Sequence, residues 1–246
     1  MAADKPVIGL VVPHAEDVTP PEGPVMYPDV TFVPHRTGVA SLTPEGYDAA
    51  IDKVLPAAEN LAARGVDAVM VIGTSLTFYR GPEFHELLLE RLRAATGLPV
   101  STMSQAIVDG LRAVGATRLA VATAYSKVVN DKLAELLAFH GFEVGALESF
   151  GITEFGSGAS AKSGADIIDL SVKADEQADG ADAILISCGG LRTLNVAKPL
   201  EDMRRKPVVS STPAAFWAAM GLVGRSGRLS GYGRLLEEAP APVPAA

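Results

Sequence analysis

The chain carries one cysteine, Cys188, in the tetrapeptide Ser187-Cys188-Gly189-Gly190 that follows the apolar run Ile184–Ile186. A solitary cysteine is most often a small buried hydrophobe, and a turn after a strand takes Gly and Ser for reasons of its own. Two features point beyond packing. Paired glycines let a substrate approach the backbone and expose N–H donors. In sheets covered on both faces, ligands sit outside the carboxyl ends of the strands. A thiol placed there has two uses. As a nucleophile it needs a histidine within hydrogen-bond reach. Of the four histidines, only His14 ends an apolar run; His35 lies in a Pro-rich loop, and His85 and His140 fall in helical patterns as surface or part-buried packing residues. As a proton donor or acceptor at carbon the thiol needs no histidine, because its ordinary pKa of about 8.5 keeps it mostly protonated near neutrality.

Three more apolar runs end in small polar clusters: Val12-Pro13-His14, Gly73-Thr74-Ser75 and Thr123-Ala124-Tyr125-Ser126. The hydroxyls of Thr74, Ser75 and Tyr125 and the N–H of Gly189 could together hold two oxygens of one carboxylate or enediolate. Losing one such donor typically costs about a hundred- to a thousandfold in rate. Acids and histidines are scattered, no H-x-x-x-H occurs, and the single cysteine rules out a Cys-based zinc cluster, so no metal site is expected. No GxGxxG or GxxxxGK[ST] occurs, so a nucleotide is not indicated. No cofactor is expected.

The elements that must position these residues alternate. Candidate strands are Val7–Val12, Val30–Val33, Val66–Ile72, Val100–Thr102, Leu119–Thr123, Glu143–Leu147, Ala183–Ser187 and Val208–Ser210. Near-continuous Val/Ile/Leu/Ala runs are how strands of a parallel sheet read when helices cover both faces. Thr43-Pro44-Glu45 opens a helix with a cap, a proline and an early acid; it is expected to reach Arg64-Gly65 with a kink at Pro56. Phe84, Leu88 and Leu92 mark a second helix closed by Gly97, and Val129, Leu133, Leu136 and Leu137 a third before Gly141.

The chain also repeats. Asp67-Ala-Val-Met-Val-Ile-Gly73 lies on Asp182-Ala-Ile-Leu-Ile-Ser-Cys188 without a gap, and each copy leads to a short strand opened by proline (Pro99, Pro207) and then an Ala/Leu-rich helix. The fold class expected is α/β: two pseudo-symmetric lobes, each a mostly parallel sheet flanked by helices, over residues 1–115 and 116–225. A C-terminal segment follows over 226–246, with packing back onto the first lobe open to it, and ends in a Pro-rich tail from Glu238 expected to be mobile. The cleft belongs where the carboxyl ends of both sheets meet.

Composition sets outer bounds. With 246 residues, 48% hydrophobic and 20% charged, the chain is a globular one with many turns, Gly and Pro supplying 24 and 17 residues. A net charge of −8 offers no basic face for nucleic acid, yet leaves room for a small anion held by local donors. One cysteine, an N-terminal apolar run too short for a signal peptide and no uncharged run of membrane length lead to an expectation of a cytoplasmic protein with no membrane contact. No obvious apolar patch forces assembly, so a monomer is expected.

Gly73-Thr-Ser-Leu-Thr-Phe-Tyr-Arg-Gly81, Ala122-Thr-Ala-Tyr125, Ser187-Cys-Gly-Gly-Leu191, Thr43-Pro-Glu-Gly-Tyr47, Ala95-Thr-Gly-Leu-Pro99 and Gly231-Tyr-Gly-Arg-Leu235 are collinear with motifs of another family. Over residues 5–236 the chain resembles the arylmalonate decarboxylase family of the aspartate/glutamate racemase superfamily. The resemblance implies cofactor-free decarboxylation of α-aryl, α-substituted malonates, small dicarboxylates, to optically active α-arylalkanoates. It implies Cys188 as the proton donor and Thr74, Ser75, Tyr125 and Gly189 as a dioxyanion hole. It places Pro13, Val39, Leu42, Tyr47 and Phe155 around the substrate, and Gly73, His14, Leu76 and Gly190 are candidate substrate-binding residues beside them. The superfamily's racemases, and the maleate isomerases that resemble the chain more distantly, use two cysteines; here the repeat sets Gly73 opposite Cys188, so one face lacks a proton carrier. An amino-acid racemase, a maleate-type isomerase and a non-catalytic small-carboxylate binder are the other readings. Two departures bear on the pocket. His14 stands where a second proline is expected, either as a surface residue or as a charge near the carboxylates. The segment 154–160 is richer in Gly and Ser than the family's loop.

Overall fold

The computed structural model describes residues 5–39, 44–153 and 157–242. Within them the strands are β1 (Val7–Val12), β2 (Thr31–Arg36), β3 (Ala68–Val71), β4 (Val100–Thr102), β5 (Arg118–Tyr125), β6 (Glu143–Ile152), β7 (Ala183–Ser187) and β8 (Val208–Ser210). The helices are α1 (Glu22–Met26), α2 (Pro44–Ile51), α3 (Val54–Ala63), α4 (Thr74–Phe78), α5 (Pro82–Thr96), α6 (Met103–Ala113), α7 (Lys127–Phe139), α8 (Ser157–Ser160), α9 (Gly164–Gln177), α10 (Ala197–Arg204), α11 (Ser211–Leu222) and α12 (Arg234–Glu238).

The strands form two all-parallel sheets with the same order, β2-β1-β3-β4 and β6-β5-β7-β8. The protein is therefore α/β, with two matching sheets flanked by helices. The apolar runs β1, β3, β5 and β7 are buried almost throughout, whereas the edge strands β2 and β6 are half-exposed. An edge tolerates Pro34 in β2, where a missing N–H breaks no inner ladder. The repeat has a structural counterpart in its first residue. The Asp67 carboxylate accepts the Val7 N–H at 2.7 Å and the Asp182 carboxylate accepts the Thr117 N–H at 3.0 Å, so each aspartate ties the entry of its lobe's first strand.

Several expected boundaries move. β2 starts at Thr31 and takes in His35, which the sequence assigned to a loop. β3 is shorter than 66–72. β5 continues through Tyr125 and β6 to Ile152, because pairing along the whole of both strands, with two register shifts, holds them together. The helix expected to run kinked through Pro56 is two helices. Proline has no N–H to give the carbonyl four residues back, so the chain breaks after Ile51 and restarts at Val54, with Pro56 in the first turn of α3, where a donor is not needed. The expected Thr43 cap lies outside the described residues. α5 and α7 follow expectation: Leu88 and Leu92, and Val129, Leu133, Leu136 and Leu137, are buried. Gly97 closes α5 at φ +65°.

α11, Ser-Thr-Pro-Ala-Ala-Phe-Trp-Ala-Ala-Met-Gly-Leu, is buried at every residue, as a helix apolar all round must be. It leaves β8 and packs on α6, β3, β4 and α1, and the Phe216 ring meets Phe32 edge-on at 5.1 Å. The expected mobility of the tail is corrected as far as Pro242. Prolines cannot donate, but the tail's carbonyls still accept and its other N–H groups still donate: Trp217 Nε1 donates to Ala239 O at 3.1 Å, the Ala241 N–H donates to Ser226 O at 2.7 Å, and Ala239 and Ala241 are buried. The C-terminal segment also reaches the first lobe, where Tyr27 Oη donates to Gly227 O at 2.6 Å. No helix among the described residues is long and apolar enough to cross a membrane.

Candidate active site

The carboxyl ends of the two sheets face one cavity of about 510 Å³. Pro13, His14, Val39, Tyr47, Gly73, Thr74, Ser75, Leu76, Tyr125, Cys188, Gly189 and Gly190 all line it. Leu42 and Phe155, also expected there, lie outside the described residues. One wall is polar, built from hydroxyls, the thiol and backbone. The rest is largely apolar, with Pro20, Pro21, Val18, Ile72, Ile152 and Ala159 joining Pro13, Val39 and Leu76.

Thr74 and Ser75 occupy the first turn of α4, entered through Gly73 at φ +117°. An L side chain rarely adopts that φ. The turn is fixed by the Thr74 carbonyl: the hydroxyls of Thr77 and Ser104 lie 3.1 and 3.0 Å from it and 2.6 Å from each other, so one hydroxyl donates to the carbonyl and the second donates either to the carbonyl or to the first. Thr74 Oγ1 donates to Ser211 Oγ at 3.1 Å. Tyr47 Oη donates to Ser75 Oγ at 3.0 Å, and the buried Tyr47 ring stacks on Tyr79 at 4.4 Å. Tyr125, at the end of β5, is buried against the Phe78 ring edge, with its hydroxyl 3.3 Å from Ser187 Oγ. Burial first, and then the neighbouring Cys188, push the Tyr125 hydroxyl well above its ordinary pKa, so it stays a donor.

Cys188 is half-buried at the end of β7. Its N–H donates to Ser211 Oγ at 3.2 Å and its Sγ accepts the Gly190 N–H at 3.4 Å. Burial raises the thiol's pKa, while the N–H groups of Gly190 and Leu191 and the Tyr125 hydroxyl pull the other way; the net direction is up, so the sulfur is a neutral thiol near neutrality. Gly190 is glycine for room: a Cβ there would come within 2.9 Å of the Ala159 Cβ on α8.

His14 is half-buried in the cavity wall, not an indifferent surface residue. Burial, and then the Arg192 guanidinium, lower its pKa, so its imidazole is neutral near neutrality. Arg192 itself was not picked out in the sequence, although it stands two residues beyond the glycine pair. It lines the cavity and pairs with the buried Glu22 at 3.1 Å. Ser211 was also missed; its signal is a fifth polar strand end, Ser210-Ser211-Thr212, after β8.

Among the described residues the scattered histidines and acids come together once. His85, Glu86 and His140 each place one ligand-type atom within 4.8 Å of the others, and none of them lines the cavity.

A family model described as arylmalonate decarboxylase matches residues 8–236. The arylmalonate decarboxylase of Bordetella bronchiseptica is 45% identical over 237 residues, covering 96% of this chain and 98% of that protein. A liganded arylmalonate decarboxylase carrying a glycine-to-cysteine and a cysteine-to-serine replacement superimposes with a TM-score of 0.92 at 43% identity, covering 95% of this chain and 100% of that one. A maleate isomerase of Pseudomonas putida with maleate superimposes with a TM-score of 0.88 at 26% identity, covering 96% of this chain and 99% of that one. A match running from the first strand to the last helix, with a curated relative identical at almost half its positions, leaves one assignment: the chain belongs to the arylmalonate decarboxylase family.

Proposed function

We propose that this protein is a carboxy-lyase that decarboxylates α-aryl, α-substituted malonates to optically active α-arylalkanoates, with no cofactor in the reaction. The observation that carries the reading is a single neutral thiol, Cys188, in a cavity whose polar wall holds the Thr74, Ser75 and Tyr125 hydroxyls and whose other lobe presents Gly73.

One malonate carboxylate binds the three hydroxyls and the Gly189 N–H. The hydroxyl protons rotate to meet it; Thr74 turns from Ser211, and Ser75, already accepting from Tyr47, has its own proton to give. The second carboxylate lies against Pro13, Val39 and Leu76. A carboxylate left unpaired in apolar surroundings costs several kcal/mol, and departure of neutral carbon dioxide relieves it. The electron pair of the breaking C–C bond moves into the first carboxylate, giving an enediolate held by the same donors. Cys188 then delivers its proton to the planar carbon from its own side, which fixes the handedness, and the thiolate regains a proton from water. Racemisation would need a second carrier on the other side, and Gly73 has no side chain to supply one.

The test is carbon dioxide release from phenylmalonate and its methyl derivative in the presence of a chelator, with chiral analysis of the product. Release with one enantiomer in excess is expected. No release across a panel of arylmalonates overturns the assignment.

A further inference from the structure

A second cluster of chemistry-bearing side chains lies away from the cavity. His85 and Glu86 sit on α5, in the first lobe, and His140 follows α7, in the second. His85 is completely buried. Its Nε2 is 2.7 Å from Thr102 Oγ1, an oxygen that also accepts the Gln105 N–H at 3.0 Å. If Nε2 carries the proton, it donates to Thr102 and leaves a lone pair on Nδ1. The other tautomer would bury an N–H at Nδ1 with no protein acceptor, a cost of about 1–3 kcal/mol. Among the described residues Nδ1 has no hydrogen-bond partner, and neither has His140 Nε2, whose side chain is only 8% exposed. That Nε2 lies 3.8 Å from the Glu86 carboxylate. Two buried imidazole nitrogens and a carboxylate therefore converge, and no described residue hydrogen-bonds to either nitrogen.

We propose that His85 Nδ1, His140 Nε2 and the Glu86 carboxylate bind one divalent transition-metal cation, with zinc best suited, and that it staples α5 to α7 across the two lobes. Borderline nitrogen and oxygen ligands suit zinc, with water completing four-coordination. Bonds of about 2.0–2.2 Å set tetrahedral ligand atoms about 3.4 Å apart, so a cluster within 4.8 Å closes by about 1.4 Å at most. Glu86, with its side chain 47% exposed, can change rotamer to supply part of that. The Thr102 hydroxyl holding the other nitrogen of His85 is the outer-shell support that metal-bound histidines ordinarily have. Arg93 and Arg112 act on the imidazoles as positive neighbours, so Glu86 is the ligand that offsets charge.

The experiment uses the full chain, stripped with chelator and dialysed, then titrated with Zn²⁺ by calorimetry and with Co²⁺ by visible absorption. One cation per chain is expected, with intense four-coordinate Co²⁺ bands and a rise in Tm on adding Zn²⁺. Glu86→Gln, a change on a half-exposed side chain, is expected to weaken binding by about tenfold or more, and His140→Gln to weaken it further. If His140→Gln does not fold, Glu86→Gln decides alone. Absence of stoichiometric binding by the wild-type chain overturns the proposal. So does unchanged affinity in Glu86→Gln, which would place the cation elsewhere, for example at Cys188.

Discussion

Thr74 of the first lobe donates its hydroxyl to Ser211, which begins a helix leaving the second lobe's sheet, and the same Ser211 oxygen accepts the N–H of Cys188. One small side chain thus sets a proposed oxyanion donor and the proposed proton donor relative to each other. Replacing Ser211 by Ala leaves the Cys188 N–H without its acceptor, worth about 1–3 kcal/mol. We expect kcat to fall roughly tenfold to a hundredfold, with KM changed little and Tm lowered by a few degrees. Steady-state kinetics beside thermal unfolding checks this. A loss confined to Tm would make Ser211 merely structural.

Cys188→Ser replaces a thiol by a far weaker acid of nearly the same shape. Decarboxylation is expected to drop by about 10²–10⁴-fold while the circular dichroism spectrum is unchanged. Because burial holds the Cys188 thiol above its ordinary range, its alkylation by iodoacetamide near pH 8 should run slower than that of free cysteine. A serine variant of near-wild-type rate removes Cys188 from the mechanism, and alkylation faster than free cysteine contradicts the neutral thiol.

Gly73→Cys puts a thiol on the lobe that lacks one. The backbone there has φ +117°, and an added Cβ would meet the Leu76 Cβ at 3.3 Å and the Pro13 Cγ at 3.4 Å. A non-glycine residue in such a conformation costs about 1–3 kcal/mol, so Tm should fall. In heavy water the variant should exchange the α-hydrogen of an α-arylpropionate for deuterium and racemise it, which the wild type should not do. A folded variant with no exchange would mean that the two positions do not address the same carbon.

Acid stability should report on His85. Burial, then His140 and Arg93, push its imidazole down from an ordinary 6.5 to about 4. Between those values the unfolded chain binds a proton that the folded chain refuses, so stability is whole above pH 6.5 and is lost as pH falls towards 4. The loss ends there, on the order of 3 kcal/mol in all. Denaturant unfolding in chelator, for wild type and His85→Gln, should give a shallower slope for the variant in that window. Parallel curves would sink the assignment.

Much of this was legible because the relevant signals are local. Four strands, Val7–Val12, Val100–Thr102, Ala183–Ser187 and Val208–Ser210, have the expected bounds, since a run buried on both faces carries no ambiguity of side. The pairing of Gly73 with Cys188 rests on an ungapped repeat, which the matched sheet orders and the parallel roles of Asp67 and Asp182 explain. Ser211 was hidden because its role is to bridge two lobes, and no spacing along one chain announces a bridge. His85 and His140 escaped for the same reason, each reading as an ordinary helical residue until α5 and α7 are packed side by side. The Pro-rich tail misled because proline signals the loss of donors and says nothing about acceptors, and it is the carbonyl of Ala239 that Trp217 holds.

The complete burial of α11 bears on how the molecule could be divided. Its coding stretch belongs to the second repeat, yet much of its surface is covered by α6, β3 and β4 of the first. A fragment ending near residue 115 would bare the place beside Gly23 and Phe32 that Phe216 fills, and the complementary fragment would carry an oily rod into water. Neither half of the present chain buries its own apolar surface, and a gene cut between the repeats is expected to yield an active enzyme only by reassembly of both products.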